Sequence, residues 1–192
     1  MTDTVDLLER TTTAAGRVVA GVKTDQLSDP TPCTEWTVRD LLNHMIGCAE
    51  MFGSAASGER SSVNPFGTPD DVLGDDPAAT YDDAVIRLVT AWRTNGLDGT
   101  VPLLRGETPA QVACTIALCD QLVHGWDLAQ ATGQQFEPDD ESIDAAWDFT
   151  QANMSPEGRG EGKPFQRPVD IEDSAPKLER LMAFMGRRSM SH

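Results

Sequence analysis

Residues 108–133 read Thr108-Pro109-Ala110-Gln111-Val112-Ala113-Cys114-Thr115-Ile116-Ala117-Leu118-Cys119-Asp120-Gln121-Leu122-Val123-His124-Gly125-Trp126-Asp127-Leu128-Ala129-Gln130-Ala131-Thr132-Gly133. Both ends carry helix punctuation. Thr108 is placed as an N-cap, Pro109 stands at the first helical position, and Gln111 follows three after the cap. Thr132-Gly133 is a C-cap pair. Between them the apolar residues Val112, Ala113, Ile116, Leu118, Leu122, Val123, Trp126 and Leu128 go nearly all round the helical wheel. A helix without a fully polar face belongs in the middle of a protein, surrounded by other helices.

Outward from this element, the pattern supplies those neighbours. A first helix spans about Thr4 to Val22, with Val5, Leu8, Ala15, Val18, Val19 and Val22 at helical spacing, before Ser28-Asp29-Pro30-Thr31-Pro32 breaks it. A second begins near Thr37, where Thr37 and Asp40 have capping-box spacing, and fades between Gly53 and Gly58. Residues 58–79 form a long acidic connection. When extended it outreaches a helix, so the second and third helices can run parallel. The third runs from Tyr81 to about Thr94 and ends at Asn95-Gly96. A fifth is expected over Asp139 to Asn153. A sixth is expected from about Ser174 to Met185, with Arg187 and Arg188 past its end to complement the macrodipole. No stretch alternates as a strand. The expectation is all-α: a four-helix bundle with extra C-terminal helices, one domain over 1–192, its core at about 4–153 and a tail at 154–192.

The chain has 192 residues, 39% of them hydrophobic, enough to bury a core, and a formal net charge of −16. That balance argues against nucleic acid, whose affinity comes largely from Lys and Arg. It argues equally against anionic membrane surfaces. The start, Met1-Thr2-Asp3-Thr4, has no basic patch followed by an apolar run, so no secretory signal is expected. No run reaches the ~18 apolar residues of a membrane span. The four cysteines form no CxxC pair, and a cytoplasmic protein with free thiols is expected.

Of the three histidines, His192 is terminal and the other two fall inside predicted helices. Asp120 and His124 are four apart and share a helical face; Asp127 follows three later. The rest of that stripe is Ala113, Ile116, Ala117 and Ala131. Charged groups on an inward apolar face need partners. A divalent metal satisfies several at once, with His44 on the second helix as the natural third ligand, and imidazole with carboxylate suits zinc, nickel or iron. A buried hydrogen-bonded network without metal is the alternative. Cys48, one turn after His44, reads as a small buried hydrophobe, or as a fourth ligand that would close the site. Cys33, Cys114 and Cys119 read as buried hydrophobes, and Trp36 and Trp126 as core anchors, with a substrate wall as the alternative.

The run Thr31-Pro32-Cys33-Thr34-Glu35-Trp36-Thr37-Val38-Arg39-Asp40-Leu41-Leu42-Asn43-His44, then Leu122-Val123-His124-Gly125-Trp126-Asp127-Leu128-Ala129, Ala131-Thr132-Gly133, and the tail Arg180-Leu181 with Gly186-Arg187, resemble the DinB-like proteins. The resemblance is to the branch around the N-terminal domain of the mycothiol-dependent maleylpyruvate isomerase. It implies a DinB-like four-helix bundle with a divalent metal, zinc or nickel, held by a His on helix two and an acid-x-x-x-His pair later. Those positions here are His44, Asp120 and His124. Two departures stand out. The isomerase's usual acid ligand is Glu, so Asp120 would draw the metal closer to helix four. The isomerase also has a second, smaller domain, and in its place only tail helices are expected here.

The chemistry so implied is thiol-dependent. Mycothiol would reach the open metal position, be deprotonated there, and attack an electrophilic small molecule, as in a transferase or isomerase. Asp127 is the candidate for orienting His124 or for a general base, with a solvated acid or a cap near the helix end as the alternative. A non-catalytic metal-binding or ligand-sensing bundle is the other reading. The chain is expected to be a monomer or homodimer.

Overall fold

The computed structural model describes residues 3–103, 106–160 and 165–190, the side chain of Pro156 excepted; His192 lies outside them. The elements are α1 (Thr4–Ala20), α2 (Val38–Ala56), α3 (Pro77–Asn95), β1 (Thr100–Leu103), β2 (Gly106–Pro109), α4 (Ala110–Thr132), α5 (Asp140–Asn153) and α6 (Lys177–Phe184), with 3-10 turns at Thr24–Gln26 and Pro156–Gly158. Helices α1 to α4 form the bundle, and α5 and α6 pack along it. One apolar cluster runs through all six helices, from Leu8 through Leu41, Met45, Leu88, Trp92, Leu118 and Leu122 to Leu181 and Met182.

Contacts along the helices give the directions. On α2 and α3, Glu50 pairs with Arg87 and, further on, Gly53 lies against Leu88. The chain before α3 meets Asn43 earlier still, where Val72 N–H donates to Asn43 Oδ1. The order rises on both chains, so α2 and α3 are parallel, as the long connection permits. Thr4 meets Gln111 and Ala15 meets Gly125, so α1 and α4 are parallel. Asp6 meets Arg93 while Gly16 meets Tyr81, so α1 and α3 are antiparallel. The result is an up-down-down-up bundle in which α4 runs against α2.

The structure corrects several expectations. A two-stranded antiparallel hairpin joins α3 to α4, pairing Thr100 with Pro109 and Leu103 with Gly106. Its strands have four residues each and contain prolines, too short for a period of two to register. The hairpin also displaces the expected cap. Thr108 pairs with Val101, Pro109 occupies the N-cap position without a side-chain bond, and Ala110 N–H is satisfied by Gly99 O at 3.0 Å. Gln111, instead of reaching back, donates to Thr4 Oγ1 at 2.6 Å. Helix α3 starts four residues earlier than expected, because Asp76 caps Ala79 N–H and Pro77 takes the first turn. Helix α1 ends at Ala20, two residues before Val22, and α6 is shorter at both ends.

The other expected helix ends match: the Thr37–Asp40 capping box opens α2, Gly96 closes α3 at φ 75°, and Gly133 closes α4 in the left-handed region. Helix α5 starts at Asp140, one residue after the expected start, because Asp139 is its N-cap. No helix among the described residues is long and apolar enough to cross a membrane.

Candidate metal centre

The antiparallel pairing of α2 and α4 sets His44 opposite the Asp120–His124 turn. The start of α2 is pinned by the capping box, in which Thr37 N–H and Oγ1–H donate to Asp40 Oδ2 at 3.0 and 2.6 Å and Asp40 N–H donates to Thr37 Oγ1 at 3.3 Å. Asp120 Oδ1 lies 3.1 Å from His44 Nε2 and 3.8 Å from His124 Nε2. The two imidazole rings stand edge to face, centroids 4.6 Å apart. His44 and His124 are 3% and 9% exposed.

Each imidazole is held from behind. The Pro65 carbonyl, which can only accept, lies 2.7 Å from His44 Nδ1, so Nδ1 carries the proton. His124 Nδ1 lies 3.0 Å from Asp127 Oδ2. In both rings Nε2 is thereby turned toward Asp120. The acid is held too: Gln121 Nε2 donates to Asp120 Oδ2 at 3.4 Å and to the Met45 carbonyl at 3.0 Å, while Tyr81 O–H donates to Gln121 Oε1 at 2.7 Å.

Burial and charge divide the protonation states. Burial disfavours the His44 imidazolium, but the charge and hydrogen bond of Asp120, with the Pro65 carbonyl, carry its pKa above the ordinary value. Burial and the facing His44 hold His124 below it. Burial opposes ionisation of Asp120, yet His44 and then His124 keep its carboxyl low. Asp127, fully buried, is also opposed by burial; Arg187 and His124 outweigh it and hold the carboxyl at about 2.

Sequence reasoning missed Arg187, Gln121, the Pro65 carbonyl and the polar part played by Cys33. Arg187, assigned to the macrodipole of α6, instead pairs with Asp127 at 3.0 Å. Cys33, expected as a buried hydrophobe, is only partly buried; its S–H donates to Asp127 Oδ2 at 3.3 Å, and Arg187 Nη2 donates to its sulfur at 3.1 Å. Trp36 combines its two expected roles: partly exposed, it packs against the core and its ring centroid lies 4.5 Å from that of His44, its Nε1–H held by the Gly67 carbonyl. Gln121 is adjacent to Asp120 and gave no separate signal. Cys114 and Cys119 are buried as expected, their thiols pushed up to about 12 by burial. Cys48 is buried and lies 3.6 Å from His44 Nε2 and 3.7 Å from Asp120 Oδ1.

The expected trio is therefore spread over two donor clusters. His44, Cys48 and Asp120 offer atoms within 4.8 Å of one another, as do Cys33, His124 and Asp127, and Asp120 and His124 join the two. Nitrogen and oxygen ligands about 2.0–2.2 Å from a tetrahedral ion stand roughly 3.4 Å apart. The 3.1 and 3.8 Å spacings around Asp120 Oδ1 bracket that value. With each Nδ1 bonded to an acceptor and each Nε2 facing the carboxylate, the donor set fits a divalent ion.

The comparisons agree with this architecture. Residues 8–129 match the model of the mycothiol maleylpyruvate isomerase N-terminal domain. Two Mycobacterium tuberculosis proteins, uncharacterized proteins MT0763 and Rv0738, are each 36% identical over 179 residues, covering 93% of this chain and 94% of their own length. The crystal structure of the mycothiol-dependent maleylpyruvate isomerase superposes with a TM-score of 0.53 at 16% identity, covering 74% of this chain. A mutant of the same isomerase superposes with a TM-score of 0.52 at 15% identity. The chain spans 65% of the isomerase's length. At that identity the likeness shows the fold, a helical bundle, and the family model decides the relationship: the chain belongs to the mycothiol maleylpyruvate isomerase N-terminal domain family.

Proposed function

We propose that His44, Asp120 and His124 hold a divalent ion, zinc or nickel, and that the protein uses it for mycothiol-dependent transfer or isomerisation of an electrophilic small molecule. The observation that carries this reading is the shared aim of two Nε2 atoms at Asp120 Oδ1, each ring fixed through Nδ1 by Pro65 or Asp127. A divalent ion in that position supplies a Lewis acid that leaves a coordinated thiol deprotonated at neutral pH. The chain's own residues do the rest. Asp127 orients His124. Trp36 and Phe66, whose ring centroids lie 4.5 and 5.9 Å from that of His44, flank its imidazole. Three protein ligands leave a position for the thiol. Free thiols and a cytoplasmic location belong to the same reading.

Cys48 favours a second reading. At 3.6 and 3.7 Å from two proposed ligand atoms, it is spaced to complete a closed, non-catalytic metal site. Thermal unfolding with mycothiol separates the two. The catalytic reading expects stabilisation by millimolar mycothiol only in metal-loaded protein, lost in His124→Ala. The absence of any shift in metal-loaded protein would favour the closed site.

A further inference from the structure

We propose that Arg187, in the tail beyond the family-matched segment, is a positioning residue of this site, fixing Asp127 so that Asp127 holds His124 Nδ1–H and aims Nε2 at Asp120. The inference rests on the proposed metal reading for its consequence and on geometry for its substance. Arg187 Nε donates to Asp127 Oδ1 and Oδ2 at 3.1 and 3.2 Å, and Nη2 donates to Oδ2 at 3.0 Å. Its side chain also donates to Cys33 Sγ at 3.1 Å and to the Met185 carbonyl at 3.4 Å. The Arg187 side chain is 11% exposed and that of Asp127 is fully buried.

The backbone brings Arg187 there by a built turn. Gly186 N–H bonds to Ala183 O and Arg187 N–H to Met182 O, with Gly186 at φ 80°, the Schellman closure of α6. Glycine is doubly required, because a Cβ at Gly186 would lie 2.7 Å from Gln166 Cβ and 3.0 Å from Arg167 O. The exit of the chain from α6 is thereby set toward α4.

A buried ion pair is a poor source of net stability, since apolar replacements of similar volume are often neutral or better. Its specific effect is geometric. Asp127 lies one turn after His124 on the same helix, and the helix alone leaves its carboxylate several rotamers. The guanidinium, planar and multidentate, fixes one of them. Oδ2 then receives His124, Arg187 and the Cys33 thiol together. Outer partners of this kind orient ligating imidazoles and raise their affinity for metal.

The test compares wild type with Arg187→Met and Arg187→Lys by two readouts. One is nitrogen NMR of the His124 ring in metal-free protein; the other is cobalt(II) affinity by competition, with the ligand-field absorption as signature. Wild type is expected to show the Nδ1–H tautomer. Arg187→Met is expected to lose that single tautomer and to bind cobalt about tenfold more weakly or worse. Arg187→Lys, which keeps the charge but cannot span both oxygens, is expected to fall between them, and it serves if Arg187→Met does not fold. If the folded variants keep the wild-type ring signals and cobalt affinity, Arg187 only anchors the tail and the proposal is overturned. If wild type binds no cobalt, the metal reading fails alone, and the ring signals still decide the role of Arg187.

Discussion

Asp120 Oδ1 stands 3.1 Å from His44 Nε2, joining α4 to α2 across the bundle. The contact depends on two helices that begin 72 residues apart in sequence running in opposite directions, each with its own pinned start. It places a carboxylate between two imidazoles inside an apolar core, where an unpartnered charge is costly.

Removing a ligand is the first test of that arrangement. His44→Ala, Asp120→Ala and His124→Ala are each expected to weaken zinc or nickel binding by more than about 100-fold, beyond the range for outer partners. Cys48→Ala is expected to stay within about tenfold of wild type if the site is open. Isothermal titration of stripped protein measures all four, and loss of metal in Cys48→Ala would instead assign Cys48 to the ligand set.

Asp127→Asn leaves the volume unchanged but weakens the acceptor for His124 Nδ1–H. The expected loss of metal affinity is about 10–100-fold. An unchanged affinity, measured by the same titration, would leave Asp127 with a purely structural part.

The pairing of Asp127 with Arg187 and His124 also fixes the sign of a pH effect. Its folded-state carboxyl is held at about 2, below an ordinary aspartate value of about 3.9. A depressed value stabilises the fold above the unfolded pKa, and the gain fades as pH falls through the folded one. The contribution is about 2–3 kcal/mol, present above about pH 4 and lost toward pH 2. Urea unfolding of wild type and Asp127→Asn is expected to show a gap that closes over this window. A gap independent of pH would contradict it.

Much of this was legible beforehand, for identifiable reasons. The start of α2 and the ends of α3 and α4 announced themselves because Thr37, Asp40, Gly96 and Gly133 act locally on their own backbone. Asp120, His124 and Asp127 could be picked out because helical spacing put acid and imidazole on one apolar face; His44, at the edge of its face, joined them as the other internal histidine and through the family resemblance. The hairpin escaped because Thr108 and Pro109 carry the same signals in a cap and at a strand end. Arg187 and Cys33 escaped for a different reason: they meet at Asp127 from positions 154 residues apart, and nothing local in either segment encodes the encounter. Pro65 was equally hidden, since what it contributes is a backbone carbonyl.

The parallel packing of α2 and α3 is close at one glycine. A Cβ at Gly53 would lie 3.3 Å from Leu88 Cα and 3.5 Å from Leu88 N, backbone atoms of a helix that cannot yield locally. Gly53→Val is expected to cost about 1–3 kcal/mol by overpacking, read as a lower denaturation midpoint at unchanged slope. Stability equal to wild type would mean the helices separate freely there.

The divalent ion proposed between the α2–α4 carboxylate and imidazoles is counted by elemental analysis of protein purified without chelator, repeated after stripping and reloading with zinc or nickel. The expected result is close to one ion per chain, lost in His124→Ala. Less than about a tenth of an equivalent, not restored by added metal, would contradict it and leave His44, Asp120 and His124 as a buried hydrogen-bonded network.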